Sequence, residues 1–365
     1  MLFDCRCVLK EDFMLTEDLN YKLPPQLIAQ SPAERRDHSR LLLFHRSTQT
    51  ISHHHFHELP RLLPPNLSIF RNDVSVLKAR IFGKRPTGGQ VECLLLRPDS
   101  PSETTWQCLL KPGGKTAKNG TFGIENEYSA EVLKSLPSGE YIVRFDLPKD
   151  TDPTALAQRI GALPLPPYVR RPANQEDEKR YQTVYADREK CSAVAAPTAG
   201  LHFTPEILNT LKKDGHSIYN LTLSVGLGTF RPVETKRIED HAMHAEKYVL
   251  PPATKSVLRD PSKKKLAIGT TCVRAIEHYL QTDDLELFKS TEAESNLFIC
   301  PPYHFRGINH LLTNFHLPGS TLMCLVGSFL NPNKSNGISL LKKIYHEAIR
   351  ENYRFFSFGD AMLII

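Results

Sequence analysis

Residues 263–280, KKKLAIGTTCVRAIEHYL, change periodicity halfway along, and that change sets the fold class. KKKLAIG, 263–269, reads as a buried strand, while Val273, Ile276 and Leu280 fall three and four residues apart and line one face of a helix. A strand that gives way directly to a helix is the unit of an α/β layer. The same texture recurs further along, where LLTNF leads through HLPGST into LMCLVGSFL. SLLKKIYHEAIREN then reads as a long helix before FFSFGDAMLII returns to strand.

The middle of the chain has another texture. Proline-rich punctuation, LPRLLPPNLS at 59–68 on one side and LPKDTDPTAL then LPLPPYVRRP on the other, brackets short runs rich in branched and aromatic residues. VLKARIF, QVECLLL, TWQCLL, GTFGI, YSAEVL and EYIVRF are separated by turn residues at the spacing of an all-β unit. The expectation is an α/β main domain built from 1–68 together with 150–365, with a small barrel or Greek key of about six strands inserted at 69–149. A length of 365 residues exceeds what one hydrophobic core usually serves, in keeping with two domains.

Composition excludes several classes. Hydrophobic residues at 40% and charged residues at 24% are ordinary for a folded soluble chain, and no run approaches the roughly 18–20 apolar residues that span a bilayer. The start, MLFDCRCVLKEDFML, carries acids where a signal peptide needs an unbroken apolar stretch, so the expected location is the cytoplasm. Eight cysteines form no CxxC pair and no three-cysteine cluster, and HExxH is absent; no metal is expected. The histidines of SHHHFHEL, 52–59, read as a polar surface run. A formal charge of +6 favours an anionic partner without deciding one, and KPGGKTAK, YVRRP and SKKKL put several cations on expected loops.

Several stretches can carry chemistry. In AAPTAGLHFTPEIL, 195–208, Thr198 and Thr204 precede segments able to turn into helix, and Gly200 permits a backbone angle closed to other residues. His202 therefore sits in constrained backbone. TNFHLPGSTL, 313–322, repeats the arrangement with Asn314, His316 and Ser320. Taken singly, each histidine reads first as a hydrogen-bonded structural group. At the strand-to-helix junction, free backbone N–H groups beside Thr270 and Thr271 suit a carboxylate or phosphate, to which Arg274 adds a bidentate contact; simple capping by either threonine is the alternative. Gly226 and Gly228, with Thr229, let a ligand approach backbone, but the third glycine of a dinucleotide fingerprint is missing. His241, His244 and Glu246 crowd together, with the two histidines three apart as on a helix face. Arg36, Asp37 and Arg40 in AERRDHSRLL either bind an anion or form ion pairs, and Asn72, Asp73 and Arg80 mix polar and charged groups before a TGG turn.

Read in order, YKLPPQLIAQSPAERRDHSRLL, ARIFGKRPTGGQVECLLL, LPLPPYVRRP, DEKRYQTVY, AVAAPTAGLHF, GLGTFRPV, EDHAMHAE, GTTCVRAIE, TNFHLPGSTL and YRFFSFGDAML resemble the S-adenosylmethionine:tRNA ribosyltransferase-isomerases of queuosine biosynthesis, nearly end to end. The resemblance implies an α/β domain with an inserted β-barrel. It also implies transfer of the ribosyl part of S-adenosylmethionine to 7-aminomethyl-7-deazaguanine at the tRNA wobble position, giving epoxyqueuosine, adenine and methionine. S-adenosylmethionine is then a consumed substrate, with no other cofactor, and the expected state is a monomer free of any membrane.

In that chemistry His202 or His316 is expected as base, with Asp37 orienting a partner or taking the proton, and Thr270, Thr271 and Arg274 holding the methionine carboxylate. The matching blocks carry the remaining substrate-binding candidates: Arg36, Arg40, Asn72, Asp73, Arg80, Thr198, Gly200, Gly226, Gly228, Thr229, His241, His244, Glu246, Asn314, Ser320 and Asp360. Departures from the family pattern stand at Ser224 (histidine), Ala245 (serine), Val74 and Ser75 (Thr-Arg) and Cys272 (serine), and those at 224 and 75 remove groups able to contact substrate. Two competing readings are a catalytically weakened RNA-binding homologue and an ordinary S-adenosylmethionine-dependent RNA methyltransferase. The second lacks an early strand followed by a GxGxG-like loop.

Overall fold

The structure is a computed structural model that describes residues 14–99, 104–226, 232–282, 284 and 286–365. Gly228 and Thr229 lie outside the described residues, as do Cys5, Cys7 and the acid-bearing start of the chain. The first strands are β1 (Arg40–His45), β2 (Thr50–His55), β3 (Ser68–Asn72) and β4 (Ser75–Val76). Next come β5 (Arg80–Lys84), β6 (Gln90–Pro98), β7 (Thr105–Lys111), β8 (Thr121–Ile124), β9 (Tyr128–Ser135) and β10 (Tyr141–Asp146). The chain continues with β11 (Cys191–Ala193), β12 (Ser217–Leu223), β13 (Glu246–Leu250), β14 (Lys265–Ile268), β15 (Thr291–Ser295), β16 (His310–Asn314) and β17 (Ala361–Ile364).

Nine strands form one sheet in the order β15-β13-β12-β3-β14-β16-β17-β1-β2. Its centre, β12, β3, β14 and β16, is parallel, so these four strands end on one edge. Leu266, Ala267 and Ile268 of β14 are all buried because both faces of the sheet are covered. Leu266 and Ile268 pack with Ile207, Leu208 and Leu211 of the helix Pro205–Lys213. Ala267 faces the opposite core, where the helices Thr270–Tyr279, Thr321–Leu330 and Gly337–Arg350 bring Val273, Ile276, Phe329 and Ile344.

The inserted unit is a closed six-stranded barrel, β10-β7-β6-β5-β8-β9, with antiparallel neighbours. Alternation does the sorting here: Ile81 on β5 is buried while Phe82 beside it is 45% exposed. The barrel strands run from Arg80 to Asp146, inside the expected 69–149. The first residues of that span behave differently. β3 lies whole in the centre of the large sheet, and β4 pairs with β11, so the chain leaves the α/β unit only after Val76. The prolines at 59–68 mark the loop that feeds β3, and the last residue of that strand, Asn72, is tied to β12 beside it. Its amide accepts from Val74 and Leu223 N–H and donates to Leu223 O.

The basic runs expected on loops are partly ordered elements. Gly113–Asn119 is a helix, and Lys265 begins β14 with its ammonium turned back onto Asp260 O and Lys263 O. Arg171 is held by both oxygens of Asp177. No helix among the described residues is long and apolar enough to cross a membrane.

Candidate functional site

Ligands of open α/β sheets sit beyond the carboxyl ends of the parallel strands. On that edge β14 and β16 end side by side, and the loops that follow them line a cleft with Thr198, Gly269, Thr270, Thr271, Asn314 and His316. Gly269 turns the chain from strand to helix at φ +86°, a conformation open to glycine, while its N–H stays tied to Leu312 O at 2.8 Å. The helix Thr270–Tyr279 therefore starts at the cleft wall with no side chain capping its first amides. Thr271 is buried, and its hydroxyl finds no hydrogen-bond partner among the described residues. Orphan amides, the positive end of the helix dipole and an unsatisfied hydroxyl together make a position for an anion.

Arg274 does not join them. Its guanidinium is taken by Glu246, by Ser295 O at 3.2 Å and by Leu297 O at 3.3 Å, so it braces the helix against β13 and β15. The other oxygen of Glu246 accepts the Gly226 N–H at 3.1 Å.

His202 approaches the cleft from behind. Its Nδ1 lies 3.0 Å from Ser39 Oγ and its Nε2 3.3 Å from the amide nitrogen of Asn314. The Asn314 amide donates, so Nε2 accepts and the ring proton sits on Nδ1. Burial, then Arg354 and Arg36, push this imidazole down to about 3, and it is neutral at ordinary pH. The remaining Asn314 oxygen takes the Thr198 hydroxyl at 2.8 Å, leaving the Thr198 oxygen as the end of this chain of bonds that lines the cleft. His202 borders a separate, smaller cavity with Arg36 and Arg180. Gly200 keeps an ordinary backbone angle, contrary to expectation. Its role is space, because a Cβ there would lie 2.1 Å from Tyr185 Oη.

His316 lines the cleft itself. Its N–H donates to Tyr345 Oη at 2.9 Å, its carbonyl accepts from Tyr21, and its Nε2 lies 2.8 Å from Thr313 Oγ1. Burial pushes it down to about 3.

Other candidates serve the framework. Asp37 is paired with Arg35 at 3.2 Å and does not line the cleft. Arg36 donates to the carbonyls of Arg180, Leu201 and Lys179. Arg40 lies over the Tyr353 ring and donates to Glu351 O, and Asp360 ties the Arg40 and Arg354 N–H groups together at 3.0 and 2.7 Å. Asp73 is held by Thr222 and Lys190, each at 2.6 Å, and Arg80 pairs with Glu92 on the barrel. Ser320 lines the cleft but gives its hydroxyl to Leu317 O.

His241 and His244 share no helix face, because the chain from 241 to 245 has no regular structure. His244, Glu246 and Gly226 line a second, wider cleft. At the departures, Ser224 and Ala245 also line this second cleft, with Ser224 Oγ 2.6 Å from Ser192 Oγ. Val74, Ser75 and Cys272 are buried.

Among the cleft residues that the sequence reading did not single out as candidates are Thr313, Tyr168, Phe356 and Ser357. Phe356 has φ +72°, unusual for a bulky residue, and its ring centroid lies 4.8 Å from that of Tyr168, whose hydroxyl meets Ser357 Oγ. Only proximity to Gly359 in SFGD hinted at a sharp turn. Among the described residues no group of three or more His, Cys, Asp or Glu is arranged to hold a metal ion.

A family model described as "Queuosine biosynthesis protein" matches residues 16–364. The chain is 42% identical over 355 residues to the S-adenosylmethionine:tRNA ribosyltransferase-isomerase of Geobacter metallireducens, covering 96% of this chain and 100% of that one. With the enzyme of the same name from Natranaerobius thermophilus it shares 43% over 358 residues, 96% and 99% of the two chains. Among solved structures it is similar to the S-adenosylmethionine tRNA ribosyltransferase of Thermotoga maritima, with a TM-score of 0.52, 32% identity, and coverage of 95% of this chain and 100% of that one.

Proposed function

The chain belongs to the queuosine biosynthesis protein family, and on that premise we propose that it is an S-adenosylmethionine:tRNA ribosyltransferase-isomerase. It moves the ribosyl group of S-adenosylmethionine to 7-aminomethyl-7-deazaguanine at the tRNA wobble position and isomerises it, giving epoxyqueuosine, adenine and methionine. The single observation that carries the donor site is the uncapped start of the helix Thr270–Tyr279 beside the unpartnered Thr271 hydroxyl. That position suits the methionine carboxylate, with the sulfonium and ribose extending toward Thr198 and His316.

The sulfonium acidifies the neighbouring 5′ methylene and leaves as the neutral thioether of methionine, which needs no acid. What the protein must add is a proton acceptor at that carbon, an unprotonated amine on the acceptor base, and a hydrogen bond to the departing adenine. His316 is the imidazole at the cleft wall, neutral and able to accept. His202 acts through Asn314 and Thr198 as a positioning residue. No further cofactor is consumed, so chelation should leave the rate unchanged. The tRNA substrate argues for the cytoplasm, and the expected monomeric state is checked by sedimentation at assay concentration.

The decisive assay incubates the purified protein with S-adenosylmethionine and tRNA carrying the aminomethyl base. Free adenine, methionine and a nucleoside heavier by the transferred ring are expected. S-adenosylhomocysteine and a gain of one methyl group would make it a methyltransferase instead.

A further inference from the structure

The second cleft runs between the barrel and the α/β unit, and nothing in the donor reading uses it. Its barrel wall is apolar, made by Leu96, Trp106 and Leu109 of β6 and β7. The facing wall carries Lys247 and Glu294 from β13 and β15, and Glu140, next to β10 of the barrel, also lines the cleft. Val225 lines both this cleft and the inner one, so the two meet at the end of β12. At Gly226, one residue on, a Cβ would meet no described atom within 4 Å.

Resting on the function proposed above, we infer that this outer cleft takes the unpaired acceptor base of the RNA, a guanine-type ring, and presents it across the Val225–Gly226 lip to the donor in the inner cleft. Three physical features converge on that occupant. An apolar wall of Leu96 and Leu109, backed by the largely buried Trp106, suits the face of a base drawn out of its stack, which costs least in a single-stranded loop. The Watson–Crick edge of a guanine-type base offers two N–H donors, at N1 and the exocyclic amine, and carboxylates are acceptors only, so Glu140 and Glu294 favour it over adenine, whose N1 is an acceptor. Lys247, 3.9 Å from Glu294 and 70% exposed, is loosely paired and sits at the rim with Arg97, where backbone phosphates of an entering strand pass.

The test uses the full chain and two short anticodon stem-loop RNAs, differing only in having guanine or adenine at the acceptor position. Wild type should bind the guanine RNA at least about tenfold more tightly. The E140Q/E294Q double variant should lose that preference while holding S-adenosylmethionine with unchanged affinity. In the turnover assay G226V, which puts a branched side chain at the lip, should raise the KM for modified tRNA about tenfold or abolish transfer, again with donor affinity intact. Equal binding of the two RNAs by wild type would overturn the assignment. So would a loss of S-adenosylmethionine affinity in G226V or E140Q/E294Q, which would put the donor in the outer cleft. A wild-type protein that releases no adenine with modified tRNA sinks the enzymatic reading, whereas an active wild type with unaffected variants sinks only this placement.

Discussion

At the scale of single residues, the two histidines that the sequence singled out divide the labour. His316 reaches the cleft and His202 holds Asn314 from behind. Replacing His316 with Gln should lower kcat, and exchange of the 5′ hydrogens of S-adenosylmethionine with solvent should fall with it. Replacing His202 with Gln should slow turnover through misplacement of Asn314 and Thr198, by about tenfold to a hundredfold, and exchange without adenine release would separate the two roles. Both imidazoles are pushed from an ordinary value near 6.5 to about 3 by burial. The unfolded chain therefore binds protons that the folded chain refuses below about pH 6.5. Their stabilising effect is fully present above that pH and is lost as pH falls toward 3, at up to about 1.4 kcal/mol per pH unit for each histidine. Urea denaturation between pH 7.5 and 4 should show this slope, and a shallower one in the His316→Gln variant. The loop positions of both histidines were legible from their proline and glycine neighbours. The fate of Arg274 was not, because its partner Glu246 lies 28 residues away on another strand, and no local spacing announces such a pair.

At the scale of elements, the unit that matters most is the strand–glycine–helix junction at 265–279. Its existence was readable from the switch between an apolar run and a helical period, since each period follows from how side chains leave the backbone. What the sequence did not disclose was the burial of Thr271 without a partner, which depends on what β16 and the 196–200 loop bring alongside. Gly269→Ala should cost about 1–3 kcal/mol, because φ +86° strains any side chain, and it should weaken S-adenosylmethionine binding by turning the first helix amides off their target. Calorimetric titration beside a denaturation curve measures both; a variant that is destabilised yet binds normally would remove the helix start from the donor site. A second element shows how a loop is fixed by one buried cation. Lys255 reaches Asp284 Oδ2 and Lys289 O, each at 3.0 Å, Thr291 Oγ1 at 2.7 Å, and Glu286 O. Lys255→Met takes the cation from Asp284 and the donor from the Glu286 and Lys289 carbonyls, and should cost about 3–5 kcal/mol, with amide exchange rising first in the 284–291 segment.

For the molecule as a whole, the barrel and the sheet were separable in the sequence because alternation and helical period differ so plainly. The expected joint at 68/69 lies ahead of the passage into the barrel because proline clusters flag loops, and the loop before β3 is richer in proline than the segment that follows Val76. That misplacement touches the site, since β3 sits between β12 and β14 and helps bring their ends together at the two clefts. The two substrates then meet opposite electrostatics. S-adenosylmethionine carries a sulfonium cation and its amino acid group, and in the proposed arrangement it sits in the inner cleft, where salt screens weakly. The RNA is a polyanion meeting a chain of formal charge +6 at an exposed rim that includes Arg97 and Lys247. Each phosphate neutralised on a single strand releases counterions and steepens the dependence of affinity on salt by roughly 0.7 in the log–log slope. Raising salt from about 50 to 200 mM should therefore raise the KM for tRNA steeply, leaving the KM for S-adenosylmethionine nearly flat. Lys247→Gln and Arg97→Gln should each reduce the tRNA slope by less than one unit while kcat at saturating RNA holds. Equal salt dependence for both substrates would mean that the RNA is held by shape and hydrogen bonds alone, and the basic rim would lose its role.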